Sequence, residues 1–268
     1  MNGPRGAADH AHGDGMAAHG SPSPGPGASL AVARTPSARA DGRPGVMVCP
    51  GFRSDMGGTK AVFLEARGRE RGLAVTRFDY RGHGASPGRF EDGTIGDWAA
   101  DALSVLDTAT EGPQILVGSS MGAWIAVLVA RARPDRVAGL VTVAAAPDFT
   151  EDLIRPALSA EARAALDRDG VWRRPSAYAD EPDVITSRLL DEARDHLVLG
   201  DGPLALVMPL RALHGLADPD VPWRQSLRLV EAWGGADARL TLIKDGDHRL
   251  SRPADLALLD AAVAELAG

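Results

Sequence analysis

Apolar residues along this chain recur with two periods, and the alternation between those periods predicts its architecture. Gly45–Cys49, Ile115–Val117, Val137–Ala144, Leu210–His214 and Arg239–Ile243 are short apolar runs of the kind that form buried strands. Leu73–Tyr80 alternates toward another strand, and Ser29–Arg34 reads as an edge strand. Between them, apolar positions fall three and four residues apart over Thr59–Arg71, Asp97–Thr110, the stretch after Gly122, Pro222–Trp233, and Pro253–Leu266, which has proline in its first position. Strands separated by helices of about ten residues imply right-handed crossovers, so the predicted fold class is α/β, a mostly parallel central sheet flanked by helices. Ligands of such sheets sit beyond the carboxyl ends of the strands.

Two stretches break the alternation. Residues 1–28 are mostly Gly, Pro, Ala and His without period, a composition that cannot offset the entropy of ordering, and a disordered tail is expected. It lacks the basic-then-apolar layout of a secretory signal, and its His10, His12 and His19 read as solvated residues. The second stretch, about 148–203, has no clear strand but two helical patterns, Ser159–Asp167 and Val184–Leu197, around a loop at Trp172. A small helical cap inserted into a single domain spanning 29–268 is expected there. Asp148–Asp201 holds thirteen acidic residues against seven arginines, which makes the cap either a solvated acidic face or a lid that repels polyanions.

Composition narrows the possible partners. At 268 residues and 44% hydrophobic, the chain can bury a sizeable core. A net charge of -7 gives no basic stripe for phosphates, so no nucleic-acid partner is expected, and no apolar run is long enough for a membrane span. Cys49 is the single cysteine; it excludes an internal disulfide, fits a reducing compartment, and makes a cytoplasmic location the expectation. Within an apolar strand and without an adjacent His, it reads as a structural thiol.

The chemistry centres on Gly118-Ser119-Ser120-Met121-Gly122, a G-x-S-x-G between an apolar strand and a helix. The glycines permit a sharp turn that would present Ser120 at the sheet edge. A serine hydroxyl is a weak nucleophile and needs a base, itself oriented by an acid. His248 lies in a turn directly after the last strand and is the leading base; His83 and His214 are the alternatives, each more simply read as satisfying local backbone groups. Asp218, on a loop stiffened by Pro219 and Pro222, is the leading acid, with Asp220 its rival. Oxyanion donors are expected from the Met121 N–H and from the loop after Cys49, where Phe52 is placed either as donor or as pocket wall.

The segments Pro50–Met56, Gly58–Ala61, Phe78–Ser86, Gly118–Gly122 and His214-Gly215 with Asp218 and Val221-Pro222 resemble an α/β-hydrolase. More narrowly, the chain is similar to bacterial relatives of the mitochondrial acyl-protein thioesterase that also cleaves acyl glucuronides. The resemblance implies Ser120 as nucleophile, Asp218 as acid, His248 as base, and Met121 with Phe52 as oxyanion donors. It implies a small-molecule ester or thioester substrate, and no metal or organic cofactor. The competing expectations are a peptidase or C–C bond hydrolase of the same fold, and a ligand-binding receptor on this scaffold.

Overall fold

The computed structural model describes residues 1, 29–38, 41–174, 182–200 and 202–268. The expected tail, with its three histidines, lies outside the described residues apart from Met1. Among the described residues, seven strands form one sheet in the order β1-β3-β2-β4-β5-β8-β9. They are β1 (Val32–Thr35), β2 (Gly45–Cys49), β3 (Val75–Phe78), β4 (Gln114–Ser119), β5 (Val137–Val143), β8 (Leu210–Gly215) and β9 (Ala238–Ile243). Only β1 runs antiparallel to its neighbour; the other pairs are parallel, as the alternation of strands and long helices requires.

The central strands are apolar on both faces because helices cover both. Met47, Cys49, Leu116 and Leu140 belong to one core with α2 (Ile95–Ala109) and α3 (Met121–Ala132). Their neighbours Val46, Val48, Ile115, Val117 and Val141 belong to a second core with α1 (Thr59–Arg71) and α8 (Pro253–Ala267). Each strand thus divides its side chains by the two-residue pleat. Trp98, Trp124, Tyr80 and Phe78 are the largest fully buried side chains, and all four lie in the first core. Helix starts follow local chemistry: the Thr94 hydroxyl caps α2 by accepting from the Asp97 N–H at 3.2 Å.

Between β5 and β8 the chain departs from the all-helical expectation. This segment holds a single turn, α4 (Arg155–Ala157), then α5 (Ala160–Asp169) and α6 (Ser187–Glu192), and also a two-stranded antiparallel ribbon, β6 (Val171–Arg174) with β7 (Asp183–Thr186). The helix expected from Val184 begins at Ser187: Val184, Ile185 and Thr186 are extended, and the Thr186 hydroxyl caps α6 by accepting from the Leu189 N–H at 3.0 Å. Four-residue strands are too short to display a period, and the arginines of β6 conceal it further.

The acids of this segment are largely tied down. Glu151 pairs with Arg155 and Arg194, and Asp152 with Arg228 of α7 (Arg224–Ala232). Asp183 pairs with Arg174 and Arg53. Asp148 is buried and accepts from the N–H groups of Val198 and Leu199, so one carboxylate joins the two ends of the segment.

Candidate active site

Ser120 joins β4 to α3 with φ 53° and ψ −119°, a backbone conformation that costs a non-glycine residue about 1–3 kcal/mol. The surroundings enforce it. The Ser120 N–H donates to the Val143 carbonyl at 2.9 Å, and its own carbonyl accepts from the Ala123 N–H at 3.0 Å. The flanking glycines let the backbones close together: a Cβ on Gly122 would stand 2.1 Å from the Cys49 carbonyl oxygen, and one on Gly118 would stand 2.4 Å from the Gly122 oxygen. Backbone atoms cannot yield to such contacts as a flexible side chain can. Gly122→Ala is therefore expected to destabilise the protein by roughly 3 kcal/mol. A lowered urea midpoint with an unchanged slope would show it; a midpoint equal to wild type would refute the steric reading.

The loop after β2 packs against this corner. A Cβ on Gly51 would be 3.1 Å from the Ser119 carbonyl oxygen and 3.5 Å from the Ser120 Cβ, so the Phe52 backbone follows immediately beside the serine. Met121 is the first residue of α3, where no carbonyl one turn earlier can accept its N–H. The Phe52 ring stands edge-on to Phe90, Trp98 and Phe149, with centroids 4.9, 6.0 and 5.9 Å away, and Phe149 also meets Trp124. No local pattern marks this aromatic group beside the serine corner as a unit, because its members come from four separate stretches of chain.

The acid and base lie on loops after the neighbouring strands. The ends of β5, β8 and β9 are bonded in sequence: Ala144 N–H to the Leu213 carbonyl at 2.9 Å, and Leu216 N–H to the Ile243 carbonyl at 2.8 Å. Across the two loops, the Ala217 N–H donates to the Gly246 carbonyl at 3.0 Å. There His248 Nδ1 lies 2.8 Å from Asp218 Oδ2, with the carboxylate fully buried and the imidazole 17% exposed. A carboxylate only accepts, so Nδ1 carries the proton and Nε2 the lone pair. Asp218 Oδ1 takes the N–H groups of Asp220 and Val221, each at 2.9 Å. Burial alone would raise the Asp218 carboxyl, but hydrogen bonds from His214, His248 and the Val221 N–H outweigh it and hold the group well below the usual carboxylate range.

Asp220, by contrast, is exposed, and it serves Asp218 through its backbone. Asp218, Asp220 and His248 do offer three ligand-type atoms within 4.8 Å of one another. Two of these residues, Asp218 and His248, already share a proton between Oδ2 and Nδ1. On the far side of the His248 turn, Lys60 Nζ donates to the Arg249 carbonyl at 2.6 Å, and burial pushes its amine down to about 8.

The other two histidines are not interchangeable with His248. His83 is buried among Tyr80, Phe90 and Trp98 with its Nδ1 3.2 Å from the Arg81 carbonyl oxygen, a local role of the expected kind. His214 is completely buried behind Asp218 and touches it. Cys49 is completely buried, and burial pushes its thiol up to about 12, as befits a structural residue. The contacts in hand are thus Asp218 with His248 and the Gly51–Phe52 loop with Ser120.

Residues 41–187 match the family described as serine aminopeptidase, S33. The chain is 39% identical over 224 residues to the mitochondrial palmitoyl-protein thioesterase ABHD10 of Mus musculus, covering 83% of this chain and 75% of that protein. A solved structure of mouse alpha/beta hydrolase domain-containing protein 10 superposes with a TM-score of 0.80 at 38% identity, over 88% of this chain and 93% of the mouse chain. The crystal structure of a protein from Agrobacterium vitis S4 superposes with a TM-score of 0.87 at 42% identity, over 91% and 96% of the two chains. The expected cytoplasmic location is corrected by these relatives, since the matching mammalian thioesterases are all named mitochondrial. One buried thiol suits any compartment that leaves it reduced, so Cys49 never singled out the cytosol. Among the described residues, no helix is long and apolar enough to cross a membrane. With its G-x-S-x-G corner on a mostly parallel sheet, the chain belongs to the serine aminopeptidase S33 family of α/β-hydrolases and is a hydrolase.

Proposed function

We propose that this protein cleaves carboxylic esters and thioesters of small acyl substrates through a covalent acyl-enzyme, with Ser120 as nucleophile, His248 as general base and acid, and Asp218 as the group that orients His248. The observation that carries the reading is the 2.8 Å contact between His248 Nδ1 and the buried Asp218 carboxylate, two loops along from the strained Ser120 corner. With Nδ1–H committed to Asp218, Nε2 is the nitrogen that takes the Ser120 proton as Oγ attacks the substrate carbonyl carbon. The Met121 and Phe52 N–H groups face the oxyanion that forms, each such donor lowering the barrier by about 3 kcal/mol. Collapse expels the alcohol or thiol, which leaves with the proton from Nε2. Water, deprotonated by the same nitrogen, then attacks the acyl carbon and releases the acid and Ser120.

The rings of Phe52, Phe90, Trp98 and Phe149 make an apolar wall on the oxyanion side, suited to an acyl chain. The segment between β5 and β8 serves as a cap over that wall, to which it contributes Phe149. Arg53, next to Phe52, is anchored on it through the Pro182 carbonyl and Asp183. The name of the mammalian relatives supports the thioester side of the reading.

A second reading, an aminopeptidase, is favoured by the description of the matching family. A panel of p-nitrophenyl esters of graded chain length, acyl thioesters and aminoacyl p-nitroanilides separates the two. Turnover of esters and thioesters at least about a hundredfold above the anilides is expected, a barrier difference of near 3 kcal/mol. Preferential turnover of anilides would replace this reading with the peptidase.

A further inference from the structure

His214 is the penultimate residue of β8, with both ring nitrogens engaged and no solvent exposure. Its Nε2 is 2.9 Å from the Val221 carbonyl oxygen, and the same nitrogen is 3.2 Å from Asp218 Oδ2. A carbonyl and a carboxylate can only accept, so the ring proton must sit on Nε2. Nδ1 is 2.7 Å from the hydroxyl of Ser226, itself completely buried on α7. That hydroxyl is the donor of the pair, because Nδ1 holds only a lone pair in this tautomer.

Ser226, His214, Asp218 and His248 therefore form one continuous series of contacts, three of its members with no exposed side-chain surface. The Val221 residue closes a second tie: its N–H holds Asp218 Oδ1 while its carbonyl is held by His214. Asp218 Oδ2 is thus shared by two imidazoles, one buried and fixed, the other at the surface of the site. The depressed Asp218 carboxyl agrees with this arrangement, since both His214 and His248 contribute to the lowering.

We propose that His214, held in its Nε2–H tautomer by the Val221 carbonyl and braced on its other nitrogen by Ser226, is a positioning residue that fixes the Asp218 carboxylate and its turn in the orientation His248 requires. This rests on the assignment of Asp218 and His248 given above. His214 touches no reacting atom. Its contribution is to the aim of Asp218, and aim is reflected in kcat rather than in substrate affinity.

The test is steady-state hydrolysis of p-nitrophenyl butyrate by His214→Phe, His214→Gln, Ser226→Ala and Asp218→Asn, with active sites counted by fluorophosphonate titration so that misfolded protein is excluded. His214→Phe should lose roughly 10- to 100-fold in kcat per titrated site with KM within about twofold, since misaimed groups cost on that scale. His214→Gln, whose amide nitrogen can reach the place of Nε2, should recover to within about threefold of wild type. Should His214→Phe fail to fold, Ser226→Ala carries the test, with an expected loss of about three- to tenfold in kcat. Wild-type kcat per site in the folded variants, or His214→Gln no better than His214→Phe, overturns the proposal. If Asp218→Asn also turns over normally, it is the acid assignment that has failed; if Asp218→Asn is inactive while the His214 variants are not, the positioning role alone has failed.

Discussion

Ser120→Ala lowers kcat by roughly a million-fold while leaving substrate affinity nearly unchanged, the scale on which loss of a serine nucleophile acts. Alanine meets the same backbone demand at this corner as serine does, because the positive φ is imposed by Gly118, Gly122 and the Val143 carbonyl rather than by the side chain. The variant should therefore unfold at the wild-type urea midpoint. A fluorophosphonate probe should label the wild-type chain once and the variant not at all. Residual turnover within a hundredfold of wild type would remove Ser120 from the mechanism. A wild-type chain that neither labels nor turns over any member of the ester panel would identify a receptor built on the hydrolase scaffold.

Asp218→Asn is expected to lower kcat by about ten-thousandfold, since an amide facing His248 Nδ1 favours the tautomer whose Nε2 already holds a proton. The same substitution has a second signature, in stability. The Asp218 carboxyl is held below its ordinary value by the histidines and the Val221 N–H, against the opposing effect of burial. Folding is thereby stabilised at every pH above the unfolded carboxylate pKa of about 4, and that contribution is lost as pH falls toward the lower folded value. The difference in urea midpoint between wild type and Asp218→Asn should be greatest near neutrality and shrink below about pH 4. A difference that stays constant from pH 7 to pH 3 would mean that the carboxylate gains nothing from its partners.

The legible parts of the sequence were those where chemistry leaves few alternatives. G-x-S-x-G could be read because the fold forbids a Cβ at Gly118 and Gly122, so the motif's glycines are a steric requirement of the corner. The central strands β2, β4, β5 and β8 were visible because each is short, largely apolar and followed by a break. Spacing could not separate Asp218 from Asp220, two residues apart on one loop; burial and the 2.8 Å contact with His248 separate them. From sequence alone, His214 reads as a residue satisfying its local backbone. It does bond the Val221 carbonyl, but its contacts with Ser226 and Asp218 depend on α7 folding back over β8, which no local pattern encodes. The β6–β7 ribbon escaped because four residues of strand carry too little period to read, and Trp172 next to two arginines resembles a loop.

The Asp148 clasp bears on how such a protein can change over evolutionary time. Because a single carboxylate brings the start of the inserted segment to Val198 and Leu199, the residues between those points form one excursion whose two ends are held together. Insertions, deletions and sequence drift within that excursion leave the strand register and the spacing of the β4, β8 and β9 loops untouched. With this excursion as the proposed cap, substrate choice would diversify module by module while the machinery beneath is inherited intact, and grafting the excursion from one homologue onto another would be a practical route to new acyl preferences.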